Sequence, residues 1–149
     1  MAAQELQAKL PTRYQLRMQR SRKFISAQER TAAKSMKVKS ANYSVYCAFY
    51  DIDLKNMISS LAKKSRNIDV KLVIDGSNFK EQIKGDGVRV ENEDSLMHNK
   101  FCVIDSYIVL SGSFNPTLSA DTKNDENVLI IHDKKIANEF LEEFGRLWQ

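Results

Sequence analysis

Hydrophobic residues along this chain switch between two spacings, and the switches mark its elements. Tyr43 to Tyr50 is a run of aromatic and small apolar residues that predicts a buried strand. Leu54, Met57, Ile58 and Leu61 recur at i, i+3, i+4 and i+7, the spacing of an amphipathic helix, predicted here over residues 54–65. Val70 to Ile74 reads as a short apolar strand, and a polar stretch holding Gly76, Gly85 and Gly87 leads to another at Val88–Val90. Residues 98–104 and 108–114 read as the strands of a hairpin, and Val128 to Ile131 as one more strand. Residues 134–148 predict a helix that buries Ile136, Phe140, Leu141, Phe144, Leu147 and Trp148. Ahead of these, Ser26-Ala27-Gln28-Glu29 matches a capping box, where serine and glutamate satisfy free backbone donors reciprocally, so a helix is expected from there to about Lys39. This alternation implies an α/β sandwich around a mixed sheet, with helix-linked strands able to run parallel and the hairpin antiparallel.

The 149 residues suffice for one domain with a real core. No apolar run approaches the roughly 20 residues of a membrane-spanning helix. The start of the chain lacks the apolar segment of a secretory signal, so the expected compartment is the cytoplasm. Cys47 and Cys102 both lie in apolar stretches and are expected as reduced, buried thiols. Charge changes the picture more. The net charge is +4, but residues 1–40 hold ten Lys or Arg against only Glu5 and Glu29, which leaves the remaining 109 residues at −4. Residues 1–25, with Arg13, Arg17, Arg20, Arg22 and Lys23, are therefore read as a basic arm for nucleic acid, since cations gain by displacing phosphate counterions. A solvated tail is the plainer alternative. Residues 26–149 are the predicted domain.

The chemistry concentrates between His98 and Glu126. Placing Ser106-Tyr107 in a two-residue turn makes Asp105 face Ile108, Lys100 face Ser113 and His98 face Asn115. Side chains two apart on a strand share a face, and directly opposite ones lie roughly 5 Å apart on it. That register gathers His98, Lys100, Ser113 and Asn115 on one patch and leaves Asp105 by the turn. Imidazole acts as nucleophile or general acid near neutral pH, while ammonium, amide and hydroxyl groups clamp the non-bridging oxygens of a phosphate diester. No carboxylate shares the patch, so it suggests no metal site. Asp51, Asp53 and Asp75 sit near strand ends and carry the residual alternative of a metal-dependent nuclease, although aspartates there more often cap helices and turns.

His98, Lys100, Asp105, Gly112 and Ser113 fill the pattern H-x-K-x4-D-x6-G-S, and on it the chain resembles the phospholipase D superfamily, whose HKD signature this is. Asn115 and the run Thr122 to Asn127 resemble its small single-motif nucleases in particular. The resemblance extends from about residue 26 to the C-terminus and implies a PLD-like mixed sheet flanked by helices on both faces. It implies that His98 forms a phosphohistidine intermediate, that Lys100 and Asn115 hold the phosphate with help from Ser113, and that Glu126 hydrogen-bonds the histidine ring. Asp105 and Gly112 are read as structural parts of the motif, and no cofactor is implied.

The family uses two histidines from two motif copies, one to attack and one to protonate the leaving oxygen. This chain has one copy. Its other histidine, His132, would lie about six strand steps, or roughly 20 Å, from Glu126. The resemblance therefore implies a homodimer with His98 of both subunits in one site. Three functional readings follow. The first is a non-specific, metal-independent endonuclease on DNA or RNA, although Glu91, Glu93 and Asp94 just ahead of His98 would repel a polyanion. The second is a phospholipid phosphodiesterase or phosphatidyl transferase of the cardiolipin hydrolase kind, with Tyr14, Met18 and Ile25 giving the arm an amphipathic spacing suited to a membrane lipid surface. The third is a non-catalytic nucleic-acid-binding protein.

Overall fold

The run at residues 43–50 does form a strand, and the sheet grows from its two edges. The computed structural model describes residues 22–24, 37–83, 85–91 and 96–149. In chain order these give β1 (Arg22–Phe24), β2 (Ser44–Phe49), α1 (Lys55–Lys64), β3 (Asp69–Asp75), β4 (Val88–Glu91), β5 (Lys100–Ile104), β6 (Ile108–Gly112), α2 (Leu118–Thr122), β7 (Val128–His132) and α3 (Lys134–Leu147). Their order across the sheet is β1-β7-β6-β5-β2-β3-β4. β2, β3 and β4 run parallel, and the other neighbouring pairs antiparallel. The β2–β3 pair is parallel because α1 carries the chain back between them.

Side chains alternate across a strand, so the sheet has two apolar faces. On one, Val45, Cys47, Phe49, Leu72, Ile74 and Leu110 pack with Met57 and Leu61 of α1. On the other, Ala48, Val73, Phe101, Val103 and Val109 pack with Ala137, Phe144 and Leu147 of α3. Helices thus cover both faces, as expected. The Asp133 carboxylate opens α3 by accepting from the main-chain N–H groups of Lys135 and Ile136. At its other end Arg89 Nη1 donates to the Trp148 carbonyl at 3.1 Å, which suits the negative end of the helix dipole.

Three features depart from expectation. Cys47 and Cys102 are direct partners in the β2–β5 register and form a disulfide, not a pair of thiols. Each lies in its own apolar stretch, and only the strand order, which no local pattern reveals, sets them side by side. Secondly, Arg22–Phe24, within the stretch read as an arm, pairs with β7 at the sheet edge. Arg13, Arg17 and Arg20 lie outside the described residues, as does residues 26–36 of the helix expected to start at Ser26; residues 37–39 are helical. Thirdly, α2 is a single short helix, capped by Thr117, that no apolar period announces. Among the described residues no helix is long and apolar enough to cross a membrane.

Candidate active site

β2 and β3 end, β5 begins, β6 ends and β7 begins along one rim of the sheet, and His98, Lys100, Gly112 and Ser113 of the motif line that rim. His98 is exposed, two residues ahead of β5. Its ring packs edge-on against Tyr50, with centroids 4.7 Å apart. Lys100 opens β5; its Nζ donates to the His98 carbonyl at 2.9 Å and lies 5.4 Å from the centre of the same Tyr50 ring. Burial pushes the Lys100 ammonium below the usual lysine range, and the charge of Glu126 opposes that shift. The Glu126 carboxylate accepts from Ser113 Oγ, and from Asn124 Nδ2 at 3.2 Å. Ser113 Oγ also accepts from the Asn127 main-chain N–H at 3.1 Å. Asn115 Oδ1 accepts from the N–H of Asp51, beside Tyr50, at 3.2 Å. Tyr50 thus joins His98 and Lys100, Glu126 joins Ser113 to the Lys100 charge, and Asn115 holds Asp51 next to Tyr50.

The route to that arrangement differs from the predicted one. The hairpin loop is residues 105–107, with φ of +52° at both Asp105 and Ser106. Cys102 pairs with Leu110 and Ile104 with Ile108, one residue off the expected register. Strict alternation would then set Lys100 with Gly112 rather than with Ser113. The chain leaves alternation at Gly112, whose φ of +142° turns it out of β6. A Cβ there would lie 2.3 Å from the Asn127 carbonyl oxygen, so the bend requires glycine. Phe114, fully buried, then pins the segment with Ser113 and Asn115 on either side of it.

Asp105 stands at the start of that three-residue loop. Its carboxylate accepts the main-chain N–H groups of Asn42, Tyr43 and Ser44, with contacts from 2.8 Å to 3.2 Å. This happens at the sheet end remote from His98, the structural placement that strand parity implies. His132 lies at that remote end as well, edge-on to Tyr107 with centroids 5.8 Å apart.

The resemblance implies a bond between Glu126 and the His98 ring; here Ser113 and Asn124 engage that carboxylate instead. A further carboxylate is bonded to the segment that carries His98: Asp75, which ends β3 and is 4% exposed. Its Oδ2 accepts from Met97 N at 2.9 Å, and its Oδ1 from Ser77 N at 3.0 Å and from Ser77 Oγ. Burial alone would raise the Asp75 carboxyl, but the bonds from Ser77 and Met97 and the charge of His98 outweigh it and hold it below the usual range. Sequence reasoning offers Asp75 as a cap, or less often as part of a metal-dependent site, and gives Tyr50 no role. The available signal was an aspartate closing an otherwise apolar strand. Asp53 does act as a helix-start acceptor, taking Leu118 N at 2.7 Å, while Asp51 pairs with Lys80 at 3.2 Å. Among the described residues no three His, Cys, Asp or Glu side chains are grouped to hold a metal ion. Leu96 and Leu118, 64% and 61% exposed, stand beside the rim.

The sequence model of a family described as "cardiolipin synthase, PLD-like domain" matches residues 36–148. The chain is 33% identical over 115 residues to a phospholipase D of Rickettsia prowazekii, an alignment covering 70% of this chain and 56% of that protein. It is 37% identical over 93 residues to a mitochondrial cardiolipin hydrolase of Xenopus tropicalis, covering 57% of this chain and 44% of the other. The chain thus spans about half the length of the curated relatives it matches. Its fold is similar to the crystal structure of Nuc, a phospholipase D family member from Salmonella typhimurium, with a TM-score of 0.71 and 26% identity, covering 85% of this chain and 91% of that one.

Proposed function

This chain belongs to the phospholipase D-like domain family, and from that membership we propose that it is a metal-independent phosphodiesterase whose nucleophile is His98. The observation that carries the reading is the convergence, at one sheet rim, of an exposed imidazole, an ammonium, an amide and a hydroxyl held by a carboxylate. His98 attacks phosphorus, one bridging P–O bond breaks, and the leaving oxygen takes a proton from a second imidazole. Water then attacks the phosphohistidine, the N–P bond breaks, and the second imidazole accepts the proton of that water. Lys100 and Asn115 hold the non-bridging oxygens as charge grows on them. Glu126 fixes Ser113 in the same clamp and balances the Lys100 charge.

The second imidazole is His98 of another copy of the chain, brought in across a two-fold axis. His132 does not serve, because it sits at the far end of β7 against Tyr107. Nucleic acid is the first substrate reading, supported by the ten Lys or Arg among the first 40 residues. A phospholipid is the second. It is favoured by the names of the relatives and by the two exposed leucines beside the rim.

The deciding assay supplies plasmid, single-stranded DNA, RNA and cardiolipin vesicles, each in excess EDTA. Nucleic-acid cleavage that survives chelation is the expected result, and lipid turnover alone would transfer the same chemistry to the second substrate. Activity that disappears on chelation contradicts the mechanism.

A further inference from the structure

We propose that Asp75 is the positioning residue of His98, a role that rests on the phosphodiesterase reading above. Phe49, the last residue of β2, pairs with Ile74 on one side and Lys100 on the other. Asp75 and Asn99 therefore flank Tyr50 one step further on, and Tyr50 N donates to the Asn99 carbonyl at 3.0 Å. From β3 the Asp75 side chain reaches past the end of β2 to the Met97 N–H, and Met97 is itself buried. Both carboxylate oxygens are occupied, one by Met97 and one by Ser77, so the group is a fixed anchor for the main chain that presents His98.

The anchor is also a charge. A buried carboxylate bonded only by neutral donors keeps its negative charge, and the charge of His98 is among the causes that hold its carboxyl below the usual range. Among the described residues, the other titratable or charged groups around His98 are Tyr50 at the end of β2, Lys100 on β5, and Glu126 ahead of β7 acting through Lys100. Of these four, Asp75 alone is buried and bonded to the residue before His98.

The test compares the full chain with Asp75→Asn, checked for folding by thermal unfolding. Initial rates are measured on bis(p-nitrophenyl) phosphate in EDTA across pH, and the His98 ring is followed by NMR titration. The expected outcome for the variant is a fall in kcat of about tenfold or more with KM changed by less than about twofold. The acidic limb of its rate profile and the midpoint of the His98 ring should both move to lower pH, because the imidazolium loses a neighbouring anion. A folded variant with wild-type kcat and an unmoved midpoint overturns the proposal. Where Asp75→Asn does not fold, Ser77→Ala, which loosens the carboxylate from the exposed side, must lower kcat at constant KM, and unchanged kcat is equally fatal. A wild-type chain that turns over no diester, but whose His98 midpoint still shifts in Asp75→Asn, sinks the phosphodiesterase reading and leaves the positioning role standing.

Discussion

Asp105 takes three main-chain N–H groups at the end of the sheet remote from His98, and the consequence is thermodynamic. Burial alone would raise its carboxyl, but the bonds from Ser44, Asn42 and Tyr43 and the charge of Lys64 outweigh it and hold the group below the usual range. A carboxyl depressed on folding contributes stability that is fully present above its unfolded value and is lost as pH falls through the folded one. Asp105→Ala should therefore cost about 2 kcal/mol near neutral pH and flatten the acid side of the stability curve. The corresponding fall in Tm, roughly 4–8 °C, is read by calorimetry, while kcat of the folded fraction stays near wild type. His98→Ala, in contrast, should leave Tm nearly unchanged and remove at least about a thousandfold of the activity, since no neighbouring group replaces an attacking imidazole.

At the scale of elements, the bend after β6 and the bond between β2 and β5 set the site. Gly112→Ala forces a side chain into a φ of +142° and onto the Asn127 carbonyl, displacing Ser113 from Glu126. A loss of about 1–3 kcal/mol together with lowered kcat is expected, and wild-type activity in that variant would show that Ser113 is not needed where it stands. The disulfide closes a separation of 55 residues, which in the loop-closure picture stabilises the fold by roughly 4 kcal/mol. Protein unfolded without reductant should therefore give no thiol reaction with Ellman's reagent. Most strands and both long helices were legible in the sequence because each carries its own period, and the motif residues because their spacing is fixed. The hairpin register was not: Asp105 is bound by residues some 60 positions earlier, and local turn chemistry holds no trace of that. Asp75 and the cysteine pairing were hidden for the same reason, since both depend on which strands become neighbours.

For the whole molecule, the proposal of one motif imidazole per chain predicts that assembly is part of the chemistry. Sedimentation should give a species of twice the mass of one chain. Mixing equal amounts of wild type and His98→Ala, with time to exchange, should leave about a quarter of the activity if each site needs both histidines; independent sites would leave half. Salt dependence tests the basic segment: removing residues 1–21 should lessen the slope of nucleic-acid affinity against salt, as fewer counterions are released. The most direct measurement is trapping by an alkaline, denaturing quench with a diester carrying radioactive phosphorus. Label that is acid-labile, stable in base, and located at His98 is the predicted result. Steady turnover with no label on His98, in a rapid quench able to capture the intermediate, would contradict direct attack by that imidazole.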